Sequence, residues 1–291
     1  MASLSQWVGG ARPRTLPTAV ASVAVGTGLA VNGSSLMPVR ALLALLVAIA
    51  LQVGVNYAND YSDGIKGTDE ARVGPVRLVG QRLAAPASVR LAAFLSFVVA
   101  AVLGVILVGL VGQWWLLLVG VASVAAAWLY TGGPSPYGYF GLGEVFVFVF
   151  FGLVPVVGTF YVQSLTVTAS SVIASVAVGL LACAVLVTNN LRDIPTDTTS
   201  GKRTLAVRLG DSRTRLLYLV LVIGAGAATI IVAALLSWWL LIVLVAFSLA
   251  VPPVRRVRGG ATGPALVPAL KETGLLVLGY GLALAAGLCL V

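Results

Sequence analysis

The chain carries apolar runs that no water-soluble fold can bury. ALLALLVAIALQVGV (Ala41–Val55) and LAAFLSFVVAAVLGVILVGLV (Leu91–Val111) hold a single polar amide between them beyond one serine. Runs of this length match the roughly 20 apolar residues that a helix needs to cross the hydrocarbon of a bilayer. Composition agrees: 59% of the 291 residues are apolar and 9% are charged, against roughly 25% charged in a soluble domain. No ten-residue alternation of the outer-membrane barrel kind occurs. The sequence therefore predicts an all-α integral membrane protein, a single polytopic domain over residues 1–291.

Apolar periodicity places about nine spans, over about 15–31, 39–58, 89–111, 113–131, 144–163, 170–191, 214–236, 238–254 and 273–291. The third and fourth form a tight hairpin at Gly112-Gln113. Lys and Arg fall almost wholly on one set of alternate segments, the other set holding only Arg40. By the positive-inside rule that set is cytoplasmic, with the N-terminus in and the C-terminus out. The opening MASLSQWVGGARPRTLP lacks the layout of a signal peptide. The net charge of +9 follows from this topology and suits membrane lipids or an anionic substrate. Nucleic acid is not implied.

The chain has no histidine, which removes the commonest zinc ligand and general base. Its two cysteines, Cys183 and Cys289, sit in apolar runs without metal-ligand spacing. All nine acidic residues fall at cytoplasmic helix ends or loops, so none lies mid-membrane where pumps place ionisable groups. Seven of the nine crowd into two segments, about 56–88 and 189–213. The first opens NYANDYSDGIKGTD and the second NNLRDIPTD. In each, an asparagine precedes an aspartate by four residues (Asn56 and Asp60; Asn189 and Asp193), and V-R-L recurs downstream of both. A duplicated four-helix unit would give this echo.

Asn56, Asp60 and Asp63 have the spacing of one helix face. Asn189 and Asp193 share a face likewise, while Pro195 is expected to break or kink the helix and leave Asp197 beyond a bend. Facing carboxylates repel unless a cation lies between them. With oxygen donors alone on offer the cation is a hard one, and magnesium shares its shell readily with substrate phosphates. Lys66, Arg72, Arg77, Arg192, Lys202 and Arg203 surround the acids. Metal-binding acids and phosphate-gripping bases on one membrane rim fit a substrate with a diphosphate head and a lipid tail. Between the two segments, YTGGPSPYGYFGLGE brings Tyr130 and Tyr137 to the same side. Their rings can face a nearby cation or stack on a flat acceptor.

Together ARPRTLP, VNYANDYSDGIKGTD, VGPVRLV, YTGGPSPYGYFGLGE and NNLRDIPTDTTSGKRTLAVRLG resemble the UbiA superfamily of intramembrane aromatic prenyltransferases. The likeness runs over about residues 11–210 and is strongest to the branch that prenylates 1,4-dihydroxy-2-naphthoate. The resemblance implies a nine-helix fold around a cytoplasm-facing cavity that opens sideways to lipid. It implies Mg2+ on the diphosphate of a polyprenyl diphosphate, held by Asn59, Asp60, Asp63, Asp193 and Asp197, with Arg77 and Lys202 gripping phosphate. Asn190 belongs to the second motif. Arg12 and Arg14 have two readings: they hold an acceptor carboxylate, or they serve only the positive-inside charge bias. Position 67 is glycine where the superfamily usually has a third aspartate, so Asp69 is the candidate replacement. TGGPSPY also lacks the lysine that relatives using 4-hydroxybenzoate carry after the helix-four tyrosine. The implied site is in a bacterial cell membrane, on its cytoplasmic side. Other acceptors (4-hydroxybenzoate, homogentisate, heme, a sugar phosphate) and a non-catalytic lipid or quinone carrier are the alternatives.

Overall fold

A computed structural model of the chain describes residues 2–67 and 76–291. The regular secondary structure of the described residues is all helical, without strands. A short helix α1 (Leu4–Gly10) leads into α2 (Leu16–Asn32), followed by α3 (Pro38–Ile65), α4 (Pro86–Val111) and α5 (Leu116–Leu129). Then come α6 (Gly143–Ser164), α7 (Ala169–Thr199), α8 (Leu205–Leu236), α9 (Trp238–Arg258) and α10 (Gly263–Cys289). Eight of these units are long and apolar enough to cross a bilayer, counting α1 and α2 as one, and α5 is a shorter apolar helix of 14 residues. The expected nine spans are thus eight long ones and this short one.

Local chemistry sets the ends. Pro38 and Pro86 open α3 and α4, where a missing N–H costs nothing. Thr168 caps α7 through a reciprocal pair with Ser171. Gly112, at φ 78°, lets α4 stop and the chain reverse into α5, as the tight hairpin required.

Three differences from the sequence reading matter for the site. Helix α3 runs to Ile65, beyond the expected end near 58, because its last polar turns are buried against other polar groups. Helix α7 runs through Pro195 to Thr199. The proline removes only the bond to Leu191 O close to the helix end, so the helix continues and Asp193 and Asp197 share one face. Helix α6 is π-helical over Phe148–Leu153, which re-aims its aromatic side chains.

Between helices in lipid there is no hydrophobic driving force, so close packing of small residues holds them together. A Cβ on Gly152 would lie 2.4 Å from Gly179 Cα, fixing α6 against α7, and one on Gly28 would lie 2.8 Å from Ala285 Cα, fixing α2 against α10. Buried hydrogen bonds add to this where α8 meets α10: Tyr218 to Thr273 and Thr229 to Tyr280, each 2.9 Å between oxygens. The most extensive helix pairs are α3 with α4 and α7 with α8, four spans apart, the arrangement a duplicated unit would give.

Candidate active site

The last turns of α3 build one half of the site. Asn56, Asn59, Asp60 and Asp63 are all buried there, and each is bonded to a different segment. Asn56 Nδ2 donates to Ala11 O (2.8 Å) and Thr15 Oγ1 (2.9 Å), tying the N-terminal strap to the helix. That strap carries Arg12, held at φ 53°, and Arg14 into the cavity described below. Such a left-handed backbone costs a non-glycine residue free energy and persists where surrounding contacts hold it. Asn59 Oδ1 accepts from Thr131 Oγ1 at 2.8 Å.

Asp60 is fully buried, and its two oxygens accept the backbone N–H groups of Leu78 (2.7 Å) and Val79 (3.1 Å). It therefore fixes the chain immediately after Arg77. Asp63 accepts from Lys202 Nζ (2.9 Å) and Tyr139 Oη (2.7 Å), with Arg77 Nη2 at 3.9 Å. Lys66 Nζ donates to Thr131 O (2.8 Å), and Lys66 and Lys202 lie 4.8 and 4.7 Å from the Tyr139 ring centre. The face of that ring stabilises both ammonium groups. Partial burial holds Lys66 below the ordinary lysine range, an effect that Asp63 opposes.

The end of α7 supplies the other half. Arg192 makes a two-pronged bond to Asp193, Nε to Oδ1 at 2.7 Å and Nη2 to Oδ2 at 2.8 Å, and Nη2 also reaches Asn189 Oδ1 at 2.8 Å. Its third nitrogen, Nη1, is buried without a hydrogen-bond partner among the described residues. Gly201, at φ 76°, turns the chain so that Lys202 N bonds Asp197 O (2.9 Å) while its side chain crosses to Asp63. Arg203 N then bonds Tyr139 O at 3.0 Å. Asp63 and Asp197, from the two motifs, are thus joined through one lysine.

A cavity of about 1020 Å³ starts at this cluster and runs into the membrane. That lies at the top of the range for small-molecule sites, about 300–1,000 Å³. Arg12, Arg14, Asn56, Asn59, Arg77, Asn189 and Arg192 line its polar end, and aliphatic and aromatic side chains line the rest. Tyr130 and Tyr137 form part of the wall, with Tyr137 stacked on Phe146 at 3.8 Å between ring centres. The Tyr137 hydroxyl donates to Ala126 O, so the ring is what faces the cavity. Burial pushes this phenol well above its usual pKa, which keeps it neutral.

The structure thus brings together most of the side chains singled out in the sequence, with distinct places for some. Asp60, Asp63, Asp193, Asp197, Lys66, Lys202 and Arg203 lie around the polar end without lining it, whereas Asn56, Asn59, Asn189, Arg12, Arg14, Arg77 and Arg192 face in. Asn190 turns away and bonds Glu144 Oε1 (3.0 Å) on α6. Asp69 and Arg72 lie outside the described residues. Sequence reasoning missed Tyr139, Thr131 and Glu144. A sign of Glu144 was available, since a scarce carboxylate sits at the head of a strongly apolar helix.

Among the described residues no three metal-binding side chains converge on one point. Magnesium does not need such a cage, being held as a rule through one or two carboxylates plus substrate phosphates and water. Hard oxygens on two helix ends beside guanidinium and ammonium groups fit a metal shared with a diphosphate.

Comparison with known proteins places this architecture. The UbiA prenyltransferase family matches residues 16–262. A 1,4-dihydroxy-2-naphthoate octaprenyltransferase of Mycobacterium tuberculosis is 54% identical over 288 residues, covering 99% of this chain and 98% of the relative. Its namesake in Escherichia coli is 41% identical, covering 75% and 73%. Among solved structures, a UbiA homolog from Archaeoglobus fulgidus bound to DMAPP and Mg2+ superposes with a TM-score of 0.68 at 12% identity, covering 97% of this chain and 99% of that one. The apo UbiA homolog from Aeropyrum pernix K1 gives 0.69 at 16% identity, covering 94% and 97%. At such identities the superpositions speak to the fold. Through the family match and the full-length relatives, the chain belongs to the UbiA prenyltransferase family, and it is a membrane-embedded prenyltransferase.

Proposed function

We propose that the chain transfers a polyprenyl group from polyprenyl diphosphate to 1,4-dihydroxy-2-naphthoate, with loss of carbon dioxide, giving the reduced quinol form of demethylmenaquinone and diphosphate. The observation that carries this reading is Arg192: a buried guanidinium that lines the cavity with Nη1 unpartnered among the described residues. A buried donor left without an acceptor costs about 1–3 kcal/mol, so the site is built to receive an anionic oxygen. The names of the relatives, over nearly the full chain, support the naphthoate as acceptor.

In this reading Arg192, Arg77 and Lys202 hold the diphosphate, with Lys66 and Arg72 around it. Asn59, Asp63, Asp193 and Asp197 hold magnesium, with Asp69 as a further candidate. Magnesium, when bound, supplies positive charge against the departing diphosphate. Asp60 serves through the N–H groups of Leu78 and Val79, keeping Arg77 aimed into the cavity. As negative charge builds on the leaving group, fixed cations stabilise it and the allylic carbon–oxygen bond ionises. Tyr130 and Tyr137 present ring faces to the allylic cation and to the flat acceptor. Arg12 and Arg14, held by the Asn56–Thr15 bond, orient the acceptor carboxylate.

The electron-rich ring carbon bearing that carboxylate attacks the allylic cation, forming the new carbon–carbon bond. Loss of carbon dioxide returns its bonding electrons to the ring, so no strong base is required, in keeping with a chain without histidine. The excess of Lys and Arg on one side supports a site on the cytoplasmic face, N-terminus in and C-terminus out, and the bacterial relatives support a bacterial cell membrane. Carboxyl-labelled naphthoate tests the proposal: one labelled carbon dioxide per diphosphate released is expected. Diphosphate release with the label retained in the product would overturn the decarboxylating reaction.

A further inference from the structure

One buried amide in the cavity wall has no part in the chemistry above. Gln52 lies one turn before Asn56 on α3, about 6 Å further into the membrane at the helical rise, and both side chains line the cavity. Thr15, at the end of the N-terminal strap, and Thr18, in the first turn of α2, line it beside them. On the membrane side of Gln52 the next lining residues of α3 are Leu51 and Ala48, both apolar.

Their partners fix which way each amide points. A backbone carbonyl only accepts, so Asn56 turns its Nδ2 to Ala11 O (2.8 Å) and its Oδ1 away. That Oδ1 also only accepts, so Gln52 turns its Nε2 towards it, at 3.5 Å, and towards Thr15 Oγ1, at 3.2 Å. Gln52 Oε1 is thereby aimed at Thr18 Oγ1, 3.4 Å away. A hydroxyl carries one hydrogen, and the Thr18 hydroxyl gives it to Thr15 O at 2.7 Å, the much shorter contact. Gln52 Oε1 is left as a buried acceptor without a full donor among the described residues, on the wall of a ligand cavity. An acceptor in that condition is costly unless a donor arrives, and a hydroxyl on a ligand is such a donor.

We propose that Gln52 Oε1 accepts a hydroxyl hydrogen of the acceptor ring, selecting a hydroxylated acceptor and activating it for attack. The inference rests on the naphthoate reading and adds to it the side chain that recognises a hydroxyl. With the acceptor carboxylate on Arg12 and Arg14, the ring lies alongside Asn56 and Gln52. As the ring carbon attacks the allylic cation, positive charge spreads onto the hydroxyl oxygens, and the bond from O–H to Gln52 Oε1 strengthens. It therefore favours the transition state over the bound ground state. The hydrogen stays on the hydroxyl oxygen throughout, carbon dioxide leaves from the attacking carbon, and no base takes a proton.

The test compares wild type with Gln52→Met in lipid nanodiscs, using octaprenyl diphosphate with 1,4-dihydroxy-2-naphthoate, 1-hydroxy-2-naphthoate or 4-hydroxy-2-naphthoate. Each monohydroxy analogue lacks one donor. The wild-type ratio of kcat/KM, dihydroxy to monohydroxy, is divided by the same ratio in the variant, which cancels the intrinsic reactivity of the rings. That quotient should reach about tenfold or more for one of the two analogues, because a site that pairs a hydroxyl discriminates against its absence. A quotient near one for both analogues would overturn the assignment and leave Gln52 a structural residue. Calorimetric binding of the three acids to wild type, without prenyl diphosphate, is a second readout that needs neither turnover nor a folded variant. The dihydroxy acid should bind about tenfold more tightly than at least one analogue, and equal affinity for all three would overturn the proposal. Absence of diphosphate release from wild type with any of the acids would count against the transferase reading itself, and the calorimetry would still decide the hydroxyl site.

Discussion

Asp63 and Lys202 make a contact whose energetics can be worked out from the geometry. Their 2.9 Å ion pair joins α3 to the turn after α7, and the side chains are only 4% and 6% exposed. Removing one member of a buried pair strands the other charge, at about 3–5 kcal/mol. Asp63→Asn leaves both Lys202 and Arg77 short of their shared anion, so it should cost about 5 kcal/mol. Lys202→Met leaves Asp63 with Tyr139 and Arg77, so it should cost about 3 kcal/mol. The double variant strands fewer charges, and the coupling should reach about 2–3 kcal/mol, the upper range for residues in direct contact. Denaturant unfolding of the purified protein in mixed micelles, followed by tryptophan fluorescence, gives the four stabilities of the cycle. Costs that add to within about 0.5 kcal/mol, the behaviour of distant sites, would refute the buried pair and the bridge between the two motifs.

Three further outcomes follow from the same geometry. Arg192→Lys keeps the charge but loses the fork to Asp193 and Asn189, so kcat/KM for the prenyl diphosphate should fall about 10- to 100-fold, from about 1.5–3 kcal/mol per charged hydrogen bond; an unchanged value would remove Arg192 from the site. Gly152→Ala forces a Cβ against Gly179, and overpacking of about 1–3 kcal/mol should lower unfolding stability, with a neutral result contradicting the close α6–α7 crossing. Lys66 has its pKa lowered by burial, so its charge is lost earlier than usual as pH rises. Affinity for the diphosphate should weaken through that alkaline range, and Lys66→Gln should flatten the decline; parallel profiles would exclude Lys66 from binding.

The spans and the two acidic helix ends were legible because hydropathy and the four-residue asparagine–aspartate spacing are local signals. Helix length was not. A hydropathy reading ends where polar residues begin, yet α3 continues to Ile65 because Asn56, Asn59, Asp60 and Asp63 find partners inside the protein. Pro195 misled for a similar reason: one missing hydrogen bond near the end of a 31-residue buried helix does not break it. The distinction between Asp60, which holds backbone amides, and Asp63, which meets cations, depends on partners at separations of 18 and 139 residues. No motif spacing contains that information. Tyr139 was hidden likewise, two positions from the tyrosine that the loop pattern pointed to, and its contacts to Asp63 and Lys202 exist only once three segments meet.

The most direct measurement is diphosphate release by the purified protein from a long-chain prenyl diphosphate. It is made with 1,4-dihydroxy-2-naphthoate or 4-hydroxybenzoate, each before and after removal of Mg2+ by a chelator. The account predicts release with the naphthoate and Mg2+, its loss on chelation, recovery when Mg2+ is restored, and little release with the hydroxybenzoate. Tight binding of the prenyl diphosphate with no release under any of these conditions would mean that the two helix ends hold a headgroup without breaking it, and would contradict the account.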